Sequence, residues 1–243
     1  MAGSEAGWTS LELQEDVALA IGRAMPGLPA DLEAEVAAVW AVEQARRPAL
    51  FNGRVFCADV IAPERIVGHW TEYRRVLTQM RRPDLFERLR ITSLAVNGLL
   101  ECPDGLVLGR RQADAVYLPG CWQAAPAGTV EAREEDGSLD LADQMLAELD
   151  EELGLGAADL VGIRPVAAVT HGESHVVDVG FLLRTPLPFA AVEARWRRSG
   201  NDEYDALRLV TPDEVGRLSA GDGPTILPSA RILLRRWSEL RRG

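Results

Sequence analysis

Cysteine is scarce in this chain. Cys57, Cys102 and Cys121 are the only three, at spacings that match no metal-binding pattern. So sparse and odd a set excludes a disulfide framework and suggests a reducing compartment. Basic charge is also in deficit: 26 lysines and arginines face 37 aspartates and glutamates, a net charge of −11. Broad nucleic-acid binding, which needs a basic footprint, is thereby disfavoured. A small phosphate-bearing ligand is not, because a bound cation and a few arginines can reverse the field within one cleft. No apolar run reaches the length of a membrane span, and the first residues lack a basic segment followed by an apolar one. There is no internal repeat. The expectation is a soluble cytoplasmic protein with no nucleic-acid and no membrane partner. Its 243 residues, 47% hydrophobic and 26% charged, suit one large domain or a domain with a substantial extension.

The most informative stretch is 128–155. In its second half Ala142, Leu146, Leu149 and Leu153 recur at steps of four, three and four, which predicts one apolar helical stripe. Gly154 is placed to supply the left-handed residue that ends the helix. Glu148, Glu151 and Glu152 lie three and four apart, so a helix sets their carboxylates on one face. Like charges so placed repel each other, and a hard divalent cation relieves that. Mg²⁺ takes oxygen ligands and commonly shares them with substrate phosphates. Alone, such a pattern is most simply a solvated acidic face.

The surroundings change that reading. Pro126-Ala127-Gly128 precedes the helix, Glu134 follows Gly128 after five residues, and the stretch ends Ala147-Glu148-Leu149-Asp150-Glu151-Glu152-Leu153-Gly154-Leu155. This resembles the box of the Nudix hydrolases, G-x5-E-x7-R-E-U-x-E-E-x-G-U, where U is aliphatic. There are two departures. Twelve residues rather than seven separate Glu134 from position 147, and Ala147 stands where the family has arginine. The insertion holds Glu135-Asp136-Gly137-Ser138, turn chemistry that predicts an exposed excursion. The family's arginine orients the glutamates, so Ala147 leaves that task to another donor or lowers the rate.

The resemblance implies a set of roles. Glu148, Glu151 and Glu152, with the Gly128 carbonyl, would hold Mg²⁺ or Mn²⁺. Glu148 and Glu152 are the candidate catalytic carboxylates, the proton acceptor being Glu148 or a residue outside the box. Glu134 would support the metal site, or be a loop carboxylate displaced by the insertion. Arg110 and Arg111 follow a strand near the box and are candidate phosphate ligands; side chains alternate along a strand, so at most one should reach the cleft. His171, Glu173, His175 and Asp178 read as the polar tip and flank of a turn, and Cys121 as a packed thiol.

Along the chain, residues 11–24 predict a helix capped by Ser10, and 31–47 a second capped by Asp31. Residues 54–61 predict a strand, and 70–80 a short helix or bend. Residues 91–101 and 106–111 predict a hairpin about Pro103-Asp104-Gly105. Strands follow at 164–170, 176–183 and 207–210, then a helix opened by Thr211-Pro212 and another from about Ser229. Strands alternating with helices argue for a mixed sheet covered by helices. The order of elements also resembles the Nudix fold, an α/β/α sandwich, over residues 91–243, preceded by an N-terminal α/β extension over 1–90. Asn52-Gly53-Arg54-Val55-Phe56, Tyr73-Arg74, Leu108-Gly109-Arg110-Arg111 and Pro119-Gly120-Cys121-Trp122 are similar to the subgroup that acts on UDP-glucose and UDP-galactose. That implies a small diphosphate-containing substrate, cleaved to a nucleoside monophosphate and a sugar 1-phosphate. The alternatives are a non-nucleotide or allylic diphosphate, or a binding module that keeps the fold without turnover.

Overall fold

The structure is a computed structural model that describes residues 7–133 and 139–242. Strand β1 (Trp8–Glu12) opens the chain, followed by β2 (Ala18–Ile21), α1 (Ala30–Arg46), β3 (Arg54–Ala62), β4 (Arg65–Glu72), α2 (Tyr73–Arg81) and the short α3 (Phe86–Leu89). Then come β5 (Leu94–Cys102), β6 (Gly105–Arg111), β7 (Trp122–Ala124), β8 (Ala127–Thr129) and α4 (Leu141–Leu153). The remainder is β9 (Gly162–His171), β10 (Val177–Arg184), α5 (Phe189–Ser199), β11 (Tyr204–Val210), α6 (Pro212–Ala220) and α7 (Pro228–Leu240).

The large sheet runs β1-β9-β10-β5-β6-β11, with β7 on β6 and β8 on β5. Among the named strands of the described residues β5 and β10 pair in parallel and the other pairs are antiparallel, so the sheet is mixed, as expected. One apolar cluster joins the sheet to α4 and α5 through Met145, Leu149, Leu153 and Val192. A second joins it to α6 and α7 through Val215, Leu218, Leu233 and Trp237. Helices therefore cover both faces, and the architecture is the α/β/α sandwich expected. Each leucine so buried contributes about 1.5–3 kcal/mol. No helix among the described residues is long and apolar enough to cross a membrane.

The first ninety residues depart from expectation in part, while the strand expected at 54–61 appears as β3. Residues 11–24 form no helix: β1 pairs antiparallel with β9, Ser10 opposite Val169, and β2 pairs parallel with β4. Partners more than a hundred residues away for β1 decide this, and local periodicity does not record them. The strand Trp8–Glu12 thus belongs to the large sheet although it lies before the boundary drawn at residue 90. Helix α1 follows expectation, but Pro29 is its N-cap and no side chain caps it. Trp70 lies within β4, which runs on to Glu72, rather than opening a helix, and α2 starts at Tyr73. Strands β2-β4-β3 form a small second sheet, packed on α1, α2 and α3 through Leu32, Val36, Val55 and Val76.

Two divisions of the large sheet position the site. Strand β5 pairs with β6 only at Glu101 and Cys102, then the two part. Beyond that point β5 is taken up by β8, with Val96 opposite Gly128, and β6 by β7. The strand β8 is thereby presented to α4.

Candidate active site

Helix α4 is built much as its sequence suggests. Asp140 caps it, its carboxylate accepting from the Ala142 and Asp143 amides at 2.6 and 3.2 Å. Gly154 ends it at φ 65°, a backbone conformation that side-chain-bearing residues avoid. Leu141, Met145, Leu149 and Leu153 are buried, with Ala142 and Leu146 packed at the edge of the same core. The apolar stripe pins the helix's rotation, and that turns Glu148 and Glu152 inward towards β8.

Gly128 is where helix and strand touch. A Cβ added to it would lie 2.2 Å from the carboxyl carbon and Oε2 of Glu148. Only a residue without a side chain lets the carboxylate pack on the backbone there. Glu152 is equally constrained: its Oε2 accepts from the Ala127 amide at 2.9 Å and from the Tyr204 hydroxyl at 2.7 Å. Glu148 Oε1 accepts from Gln144 Nε2 at 2.6 Å and from Arg133 Nη2 at 3.0 Å. Glu151, whose side chain is 55% exposed, receives the other arm of Arg133 on its Oε1. In each of the three glutamates one oxygen is held by protein donors, while the second has no hydrogen-bond partner among the described residues.

Burial pushes the Glu148 carboxyl up to about 7, against the lowering pull of Arg133 and Gln144. Burial also holds Glu152 well above the ordinary carboxylate range, although Tyr204 and the Ala127 amide pull it down. Carboxylates withdrawn from water stay ionised only beside donors or a cation. The open oxygens, with the Gly128 carbonyl, are the hard donors that Mg²⁺ and Mn²⁺ take, so the residues fit such an ion. Among the described residues no three His, Cys, Asp or Glu side chains are already gathered tightly enough to enclose a metal. At the box the reason is visible: Glu148 and Glu152 converge, while Glu151 stands off at the surface and is joined to Glu148 through Arg133.

The other anticipated residues fall as follows. Arg110 pairs with Asp205 at 2.6 Å and lies over the Trp122 ring. Arg111 donates to the Tyr117 carbonyl at 2.9 Å and to Gln123 Oε1 at 3.0 Å, with Glu203 at 3.5 Å. Among the described residues neither arginine bonds to a box carboxylate, but Arg111 is linked to one: Gln123 Nε2 donates to the Tyr204 hydroxyl at 3.1 Å, which in turn donates to Glu152. Glu134 and the insertion 135–138 lie outside the described residues. His171 stacks on Trp8 and His175 on Phe86, while Asp178 is buried and accepts from Asn97 at 3.0 Å. Cys57, Cys102 and Cys121 are all buried free thiols, and burial pushes Cys57 up to about 11 and Cys102 to about 12.

Arg133, Gln144, Gln123 and Tyr204 were not anticipated. Gln144 had a signal, since it lies four residues before Glu148 on the same helical face. Tyr204 had none, being 52 residues from Glu152 in sequence. Tyr204→Phe removes the hydroxyl between two buried partners and should cost about 1–3 kcal/mol in urea unfolding. An unchanged midpoint would show that the hydroxyl does not hold this network.

A cavity of about 270 Å³ lies between α2, the segment after β6 and the β9–β10 hairpin, lined by Met80, Phe86, Tyr117, Leu118 and Ser174 among others. Among the described residues no box carboxylate lines it, but Arg111 bonds the Tyr117 carbonyl at its wall.

The solved structures to which this chain is similar include several described as Nudix hydrolases or as a Nudix domain. An ADP-ribose pyrophosphatase from Streptococcus suis is 17% identical, with 63% of this chain and 93% of that one covered, at a TM-score of 0.37. For an Ap4A hydrolase from C. elegans the figures are 14%, 61%, 98% and 0.40. For a MutT Nudix hydrolase from Burkholderia pseudomallei they are 22%, 59%, 96% and 0.40. At these identities and overlaps such likeness carries nothing about substrate. No family model and no curated protein matches the sequence.

Proposed function

We propose that the protein is a Mg²⁺-dependent Nudix pyrophosphohydrolase that cleaves the diphosphate of a nucleotide sugar, UDP-glucose or a close relative, to a nucleoside monophosphate and a sugar 1-phosphate. The observation that carries this reading is the arrangement of Glu148 and Glu152 beside Gly128 and Ala127, with Glu151 joined to Glu148 through Arg133, each carboxylate having one oxygen held and one open. A bound divalent cation would supply charge withdrawal from the phosphoryl oxygens and a lowered pKa for water.

The chain's own residues do the rest. Gln144 and Arg133 fix the outer oxygen of Glu148, and Ala127 with Tyr204 fix one oxygen of Glu152, so the remaining oxygens are oriented before substrate arrives. Preorganised groups of this kind need no rearrangement when charge develops in the transition state. Glu148, or a group outside the box, accepts the proton from the attacking water. The cavity by Tyr117 and Phe86 offers room for the group beyond the diphosphate, and Arg111 lies between that cavity and the Glu152 network. The sugar-nucleotide preference rests on the motifs Asn52–Phe56 and Tyr73-Arg74 of the extension together with Leu108–Arg111 and Pro119–Trp122 beyond it.

Incubation with UDP-glucose and Mg²⁺ should yield UMP and glucose 1-phosphate by ion-exchange chromatography, and EDTA should stop it. UDP and free glucose would contradict cleavage within the diphosphate. Turnover of ADP-ribose, diadenosine tetraphosphate or an allylic diphosphate in place of UDP-glucose would reassign the substrate. Inertness across the panel, with metal bound, would make the protein a binding module.

A further inference from the structure

We propose that Arg133 is the positioning residue of the box carboxylates, delivered to them by the N-terminal extension in place of an arginine at position 147. This rests on the reading of the site as a divalent-cation centre for diphosphate cleavage. Ala147 leaves α4 without a cation of its own beside Glu148 and Glu151. Arg133 reaches the same pair from the preceding loop. Its Nη2 donates to Glu148 Oε1 at 3.0 Å, its Nη1 to Glu151 Oε1, and its Nε to Gln144 Oε1 at 3.3 Å. All three nitrogens are engaged, and the rigid planar fork of a guanidinium sets their spacing. Gln144 completes the hold, donating to both Glu148 Oε1 and the Thr129 carbonyl. The oxygen of Glu148 that these donors take is Oε1, and Oε2 remains open beside Gly128.

The extension explains why the loop arrives there. The chain just before Arg133 is stitched to β3. Phe56 N–H donates to the Val130 carbonyl at 2.8 Å, the Ala132 amide donates to the Arg54 carbonyl at 2.9 Å, and Val55 bridges Glu131. Val55 and Phe56 are fully buried, so this stitch is part of the core. From α4, Gln144 Oε1 accepts from the Glu131 amide at 3.4 Å. Residues 130–132 are therefore held between the extension and the box helix, and the next side chain falls on the carboxylates. In this arrangement the extension supplies part of the site's geometry through one arginine, beyond covering the domain.

The test compares the parent with R133A, R133K and the double variant R133A/A147R. Mn²⁺ affinity is read by electron paramagnetic resonance of the free ion, kcat and KM on the diphosphate turned over, and stability by calorimetry. The Arg133 side chain is 39% exposed, so the variants should melt close to the parent. R133A should weaken Mn²⁺ binding and lower kcat, each by about 10–100-fold, as loss of a group orienting a metal ligand does. KM should change little, since substrate is not the arginine's partner. R133K should fall between, keeping the charge without the fork. The double variant should recover part of the loss, because position 147 lies four residues before Glu151. R133A with the parent's Mn²⁺ affinity and kcat overturns the proposal. So does tighter Mn²⁺ binding with undiminished kcat, which would make the guanidinium a mere occupant of the site. A double variant as poor as R133A overturns the equivalence with position 147. Absence of Mn²⁺ binding by the parent is a different failure: it overturns the cation reading of the site, and this inference with it.

Discussion

Glu152→Gln is expected to abolish turnover while leaving the protein folded. The inner oxygen of Glu152 accepts from the Ala127 amide and the Tyr204 hydroxyl, and a glutamine carbonyl can accept both. The open oxygen becomes an amide that donates, and it then faces the position proposed for a cation. Shape is kept and one anionic donor is lost. The fall in kcat should exceed the roughly 10–100-fold that loss of an outer partner of a metal site costs. Stability should not fall with it. Burial raises the Glu152 carboxyl well above its unfolded value. An acid raised on folding costs stability as pH climbs from its unfolded towards its folded pKa, and glutamine carries no such cost at neutral pH. Calorimetry should give a midpoint at or above the parent's. A variant that binds Mn²⁺ and turns over like the parent would remove Glu152 from the site.

Gly128→Ala should be nearly as damaging, by a different route. The added methyl would lie 2.2 Å from the Glu148 carboxyl carbon and 2.5 Å from its Oε1, far inside van der Waals contact. Either Glu148 leaves its place or β8 shifts off β5, where Gly128 lies opposite Val96. Such overpacking typically costs about 1–3 kcal/mol. Activity should fall at least tenfold, because misplacement of a reacting group by about 1 Å can cost 10²-fold. The clash belongs to one pair, so a double-mutant cycle isolates it. In a Glu148→Ala background, Gly128→Ala should lose most of its stability cost in urea unfolding. An equal cost in both backgrounds would show that Gly128 is constrained by something other than the carboxylate.

Much of the site was legible because its information is local. The apolar stripe on α4, the stop at Gly154 and the spacing of Glu148, Glu151 and Glu152 all lie within one helix, where fixed pitch converts spacing into faces. The Thr211 N-cap with Pro212 at the first helical position is local in the same sense and appears as read; the structure adds Glu214, which completes a capping box. The Pro103-Asp104-Gly105 turn closes the β5–β6 hairpin for the same reason.

What the sequence by itself determined is therefore the chemistry on offer: three carboxylates on one helix, a glycine before them, and an alternation of strands and helices. Tertiary structure alone decided which carboxylate oxygens are held and which stay open. Tyr204 reaches Glu152 from β11, and Arg133 reaches Glu148 because β3 of the extension grips the chain at Val130 and Ala132. It also decided that residues 8–12 and 18–21 are strands, since β1 and β2 exist only through β9 and β4. The physical reason is common to all three. A helix meets most of its backbone hydrogen bonds within its own segment, so a short stretch of sequence specifies it. A strand, or a donor aimed at a distant acceptor, is specified by a partner that only the folded chain brings near.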